Sequence, residues 1–239
     1  MRRMTLILVA LLTGCMTGDE YTGEHDEPAD FEVGALDGKA DEADATFSRH
    51  DVVSDAVFTD ATSMTVAEVQ AFLEASPYDN TSWLATYTSG SRTAAQMIVE
   101  AATNHDISPL MLLSRMQVEA TLVSKTARPS TSRINAALGC GCHDGQACYS
   151  GYSGLAAQLE CGADTLRKWY DASIEGDGIF NRGVAKRTLD PLTVTPTNHA
   201  TASLYAYTPW VLVGRGGNWL VWNVTRKYVN HAREMGWID

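Results

Sequence analysis

Three features of the chain predict a mainly α-helical domain: an apolar pattern of helical period from Ser108 to Val123, helix-start signals recurring along the sequence, and few strand signals. Ser108 is a good N-cap and Pro109 sits at the first helical position, where its missing N–H costs nothing. At about 100° per residue, Leu112, Met116, Glu119 and Val123 fall on one stripe, with Leu113 and Ala120 beside it. Met111, Val118 and Leu122 cover much of another side, so this helix is expected at the centre, packed on more than one face.

The N-terminal part is read differently. Arg2 and Arg3 precede the apolar run Met4 to Leu12, which has the charged start and short apolar region of an export signal. The run is too short to span a bilayer as a helix. It ends in Leu12-Thr13-Gly14-Cys15, which resembles the bacterial lipobox and makes Cys15 the expected lipidated N-terminus, a membrane anchor. An ordinary secretory signal with an incidental cysteine is the alternative. From Thr17 to Phe47 the chain carries eleven acids and one base, Lys39, and reads as a solvated, disordered tether. The net charge of −11 is mostly a property of that tether. The expected organisation is therefore a leader over 1–15, an acidic linker over 16–47 and one folded domain over 48–239. No basic patch with interleaved aromatics suggests a nucleic-acid surface.

Within the domain, Val52 to Phe58 fits a short strand or an extended entry segment. Thr65-Val66-Ala67-Glu68 is a capping box opening a helix with Val69, Phe72 and Leu73 on its apolar face, ending before Pro77. Thr93-Ala94-Ala95-Gln96 opens the next helix, with Met97, Ile98 and Ala101 inward and an end near Asn104. After the central helix, a loop from Lys125 to Ser153 holds Pro129 and three clustered cysteines and is long enough to be functional. Ser153 is the expected cap of a helix carrying Leu155, Leu159, Gly162, Leu166 and Trp169 at helical spacing. A short helix follows from Asn198 to Tyr207, and a last one from Asn218 with Val221, Val224 and Tyr228 on one face.

Cys140, Cys142, Cys148 and Cys161 form an even, clustered set, which in an exported protein reads as two disulfides stapling the loop to the helix that bears Cys161. Bonding Cys140 to Cys142 directly would be strained, so each is expected to pair with Cys148 or Cys161. A zinc site including His143 is the competing reading, but Cys-x-Cys departs from the usual ligand spacing and no metal is expected. His105, His143, His199 and His231 are scattered and read as surface or structural histidines. With no phosphate-binding glycine loop or dinucleotide fingerprint, no cofactor is expected either.

The residue that stands out is Glu119. An acid on an apolar stripe loses hydration, which disfavours its charged form and makes it a candidate general acid near neutral pH. The plainer readings are that it marks the edge of the stripe, or that it pairs with a buried arginine.

Three segments, in order, resemble the soluble lytic transglycosylase and goose-type lysozyme superfamily: Ile107 to Glu119 like its catalytic helix, Gly154-Leu155-Ala156-Ala157-Gln158 like its groove motif, and Ala200 to Pro209 like its third motif. The likeness is nearest to a branch of secreted actinobacterial proteins with this domain. It implies a lysozyme-like helical fold that cleaves β-1,4 glycosidic bonds of peptidoglycan strands, with Glu119 as acid and then base. Gln158, to hold an acetamido group, and Tyr152, Tyr205 and Tyr207, to stack on or hydrogen-bond to sugars, are the candidate sugar contacts, with core packing the alternative for each and the commoner place for a helical Tyr. Together with the lipobox, the expectation is a monomeric lipoprotein of the bacterial envelope. Two departures stand out, since Ala120 replaces the serine that usually follows the catalytic acid, and the groove motif has an extra residue and lacks its methionine. Glu100, Asp106, Glu160 and Asp164 are the candidates for a second carboxylate, although transglycosylases manage with one. The alternative from another class is a non-catalytic glycan-binding or envelope-interaction lipoprotein on the same fold, and a weaker one is a cysteine-rich adhesin or toxin-like domain.

Overall fold

The computed structural model describes residues 46–142 and 148–239. The expectations for the leader, for Cys15, for nearly all of the acidic tether and for His143 lie outside these residues. Among the described residues the elements run α1 (Asp55–Thr59), α2 (Val66–Glu74), β1 (Thr88–Ser89), β2 (Arg92–Thr93), α3 (Ala94–Asn104), α4 (Pro109–Ala120), α5 (Thr131–Asn135), α6 (Leu155–Glu175), β3 (Lys186–Arg187), β4 (Thr193–Val194), α7 (His199–Tyr207) and α8 (Gly217–Glu234). The strands form two minimal antiparallel hairpins, β1–β2 and β3–β4, so the class is mainly α as expected. No helix among the described residues is long and apolar enough to cross a membrane.

Local hydrogen bonding explains where most helices begin. Thr65 and Glu68 close a reciprocal capping box at α2, and Thr93 and Gln96 close another at α3, satisfying backbone donors that a helix start leaves open. Ser108 accepts from the N–H of Leu110 with Pro109 beside it, and Asn198 accepts from that of Thr201. Two expectations are corrected. The segment from Val52 to Phe58 is not a strand: Ser54 caps α1, and Asp55 accepts the Ala200 N–H at 2.8 Å, fastening α1 to the start of α7. The cap of α6 is Gly154 rather than Ser153, because the chain enters that helix through φ 94° and ψ 155°, a backbone region that essentially only glycine occupies.

Helix α4 is the centre of the packing. Every residue from Pro109 through Gln117 is buried, with α8, α3 and α6 against it. Leu112, Leu113, Met111 and Met116 have no exposed surface, and each contributes about 1.5–3 kcal/mol of transfer free energy by leaving water. The helix is shorter than its sequence pattern: it stops at Ala120, and Leu122 and Val123 reach the core from the following turn. Helix α6 carries the second layer, packing on α7 and α3, with Leu159 and Leu166 fully buried.

The connection between α7 and α8 is held by one carboxylate. Asp190, in the β3–β4 turn, accepts from the backbone N–H groups of Val211 and Leu212 and from the Thr188 hydroxyl at 2.7 Å. Burial alone would raise the Asp190 carboxyl, but the hydrogen bonds from Leu212, Thr188 and Val211 outweigh it and hold the group below its ordinary value. A depressed folded value means that the contribution to stability is complete above the unfolded value of 3.8 and is lost as pH falls through the lower folded one. Thermal melts of wild type and Asp190→Asn across this range are therefore expected to show a gap in Tm at neutral pH that narrows below the unfolded value; a gap independent of pH contradicts the assignment.

Candidate functional site

Helix α4 ends in a turn that sets Glu119 in place. Thr121 adopts φ 53° and ψ 37°, and its N–H bonds back to the Gln117 and Met116 carbonyls, closing the helix. The buried Gln117 side chain holds the reversed chain: its Oε1 accepts from the N–H groups of Val123 and Ser124, both at 3.0 Å, and its Nε2 donates to Ser124 Oγ at 3.0 Å. Trp83 adds a hydrogen bond from its indole N–H to the Leu122 carbonyl at 2.9 Å. Glu119 thus sits on the last turn with its side chain 24 % exposed, one helical turn from Arg115, whose side chain has no exposed surface.

The carboxylate is paired. Arg115 Nη2 donates to Glu119 Oε1, and the same nitrogen donates to Thr208 Oγ1 at 3.0 Å. The guanidinium carbon lies 4.4 Å above the Tyr207 ring, a cation–π contact in a desolvated place. Arg115 Nε and Nη1 are buried without a hydrogen-bond partner among the described residues. The Tyr207 hydroxyl donates to the Leu138 carbonyl at 2.6 Å, and a Cβ built on the next residue, Gly139, would lie 3.6 Å from Glu119 Oε2. Glu119 therefore lies beside the cysteine loop and is linked to the end of α7 through Arg115. Of the readings open at Glu119, the structure realises the ion pair with a buried arginine, not an isolated acid on a dry stripe.

The loop keeps its shape through two disulfides and one amide. Cys140 pairs with Cys161 of α6, and Cys142 pairs with Cys148, one of the pairings left open by the spacing. Gln158 on α6 has no exposed surface, and its whole amide is spent on the loop. Its Oε1 accepts from the N–H groups of Leu138 and Cys140, at 3.1 and 3.2 Å, and its Nε2 donates to the carbonyls of Cys140 and Tyr152, at 2.6 and 2.7 Å. Gly162 lets the loop approach α6, since a Cβ there would run into the Leu138 side chain.

The expected sugar contacts separate into two groups. Gln158 and Tyr205 take the core-packing alternative and not the sugar contact: Gln158 is consumed by the loop, and Tyr205 is fully buried beside Phe180, with burial pushing its hydroxyl up, so neither offers a surface to a ligand. Tyr152 is 42 % exposed on the loop, and Tyr207 is half-buried beneath Arg115. Three of the four candidates for a second carboxylate have other partners. Glu100 pairs with Arg92 at 2.8 Å, while Glu160 bonds His105 at 2.9 Å and Asn104 at 3.1 Å, joining α3 to α6. Asp164 approaches the other nitrogen of His105 at 3.7 Å.

The residues that sequence reasoning missed are Arg115 and Thr208, with Gln117 behind them. Only the first left a readable signal, the i, i+4 spacing of Arg115 and Glu119. A separate cleft of about 420 Å³ opens at the opposite end of α4, where Ser108 and Leu110 meet Asp60, Arg233 and Trp237. Twelve helical residues span about 18 Å, so this cleft and Glu119 are distinct features.

Compared with known proteins, the chain matches no family model, no curated sequence and no solved structure. Gln158 offers a direct check on what the groove-like motif does here. Replacing it with leucine strands buried backbone groups of the loop, so Gln158→Leu is expected to cost about 1–3 kcal/mol and to lower Tm by several degrees in a calorimetric melt. A variant as stable as wild type contradicts the structural role.

Proposed function

We propose that this protein is an exported envelope lipoprotein that cleaves β-1,4 glycosidic bonds of peptidoglycan on a lysozyme-like fold, with Glu119 as the general acid and then base. The observation that carries the reading is the joining of the three motif-like segments around one carboxylate, α7 through Arg115 and α6 through the loop. The α4 segment supplies Glu119, the α6 segment holds the loop that passes it, and the α7 segment supplies Thr208 and Tyr207. Contacts among residues so far apart in the chain were not legible from any one motif.

The chemistry asked of the site is a proton for the leaving glycosidic oxygen and support for an oxocarbenium-like transition state. Glu119 gives its proton to the bridging oxygen as the bond to C1 breaks. In the transglycosylase route the 6-hydroxyl of the same sugar attacks C1 and returns its proton to Glu119, leaving a 1,6-anhydro end. In the hydrolytic route a water does so, leaving a reducing end. The exposed ring of Tyr152 sits on the same loop as Gly139 and fits stacking against a sugar. Anchoring through Cys15 would hold the domain at a membrane, with the acidic linker as the tether.

The non-catalytic reading is favoured by two observations: Gln158 and Tyr205 are spent on internal packing, and the 420 Å³ cleft lies away from Glu119. Incubation of the purified protein with peptidoglycan sacculi and mass spectrometry of the soluble products separates the two. Release of muropeptides by wild type, reduced about 10²-fold or more in Glu119→Gln, is the expected result for a general acid. Sacculus binding without release, unchanged by that substitution, overturns the enzyme reading.

A further inference from the structure

Building on Glu119 as the reacting acid, we infer that Arg115 is a positioning residue, a buried guanidinium that fixes one carboxylate oxygen of Glu119 against the α7–α8 junction so that the other faces the loop.

A glutamate on the last turn of a helix has several accessible rotamers, and holding one of them is what a proton-transfer geometry requires. Here the constraint comes from Arg115, one turn back on the same helix, and is tied to the rest of the fold through Thr208. Arg115 Nη2 grips Glu119 Oε1 and Thr208 Oγ1 together. Thr208 is itself fixed, because its carbonyl accepts from Asn218 Nδ2 of α8 at 2.8 Å. The Tyr207 ring supports the guanidinium from beneath, and its hydroxyl is tied to the loop through Leu138. Oε1 is thereby referenced to α7, α8 and the cysteine loop, and Oε2 is left on the side where Gly139 passes. A lysine could keep the charge but not the planar group that stacks on Tyr207 while bonding two oxygens at once.

A purely structural role would make Glu119 only the counter-charge of a buried arginine. The two roles separate in kinetics, because loss of positioning lowers kcat while leaving KM, whereas loss of structure lowers the amount of folded protein. The experiment uses the full chain, with uncross-linked peptidoglycan glycan strands as substrate, and compares Arg115→Lys, Thr208→Val and Glu119→Gln with wild type. Rates are scaled to the folded fraction from circular dichroism. Arg115→Lys is expected to lower kcat about tenfold or more, and Thr208→Val about threefold, with KM within about twofold of wild type. Thr208→Val decides the matter if Arg115→Lys does not fold. Unchanged kcat in the folded variants, with Glu119→Gln inactive, overturns the positioning role and leaves the glycosidase reading intact. A wild type without turnover overturns both.

Discussion

A guanidinium with no exposed surface organises this protein. Removing a charge from water costs several kcal/mol even after relaxation, and the cost is recovered only where partners are held in good geometry. Arg115 is placed on the most buried helix of the domain, so its partners must come to it. Glu119 is supplied by the next helical turn, and Thr208 and the Tyr207 ring by the distant α7. The end of α7, the start of α8 and the cysteine loop all take positions compatible with that charge. Two of its nitrogens remain without a partner among the described residues, so the desolvation of this charge is only partly offset.

The loop beside Glu119 carries the short helix α5 and is held to the domain from the far side of that helix. It is fixed from α6, by the Cys140–Cys161 disulfide and by four hydrogen bonds of the Gln158 amide. A buried amide with all its partners satisfied rigidifies what it touches, since swapping any of those bonds would strand a polar group out of water. Gln158 thus acts on the loop from within and not on anything outside the domain, and Tyr152 is left exposed on the outer side of the same loop.

The two ends of α4 have different characters. Its N-terminal end opens on a polar cleft with Asp60 and Arg233, whereas its C-terminal end carries the ion pair and the loop. Only the second joins the three motif-like segments, through Arg115 and the cysteine loop.

The positions of α2, α3, α4 and α7 were legible in the sequence because their starting signals act over three or four residues: Thr65 with Glu68, Thr93 with Gln96, Ser108 with Pro109, and Asn198 with Thr201. The pool of bonded cysteines was legible for a similar reason, being set by covalent chemistry and spacing. The i, i+4 spacing left the pairing of Arg115 with Glu119 readable, whereas tertiary structure alone decided that this arginine is fully buried, that Gln158 and Tyr205 turn inward, and that Thr208 reaches α4. Helical periodicity assigns a residue to a face, but what that face meets depends on segments up to 93 residues away, whose approach is set by packing of the whole core.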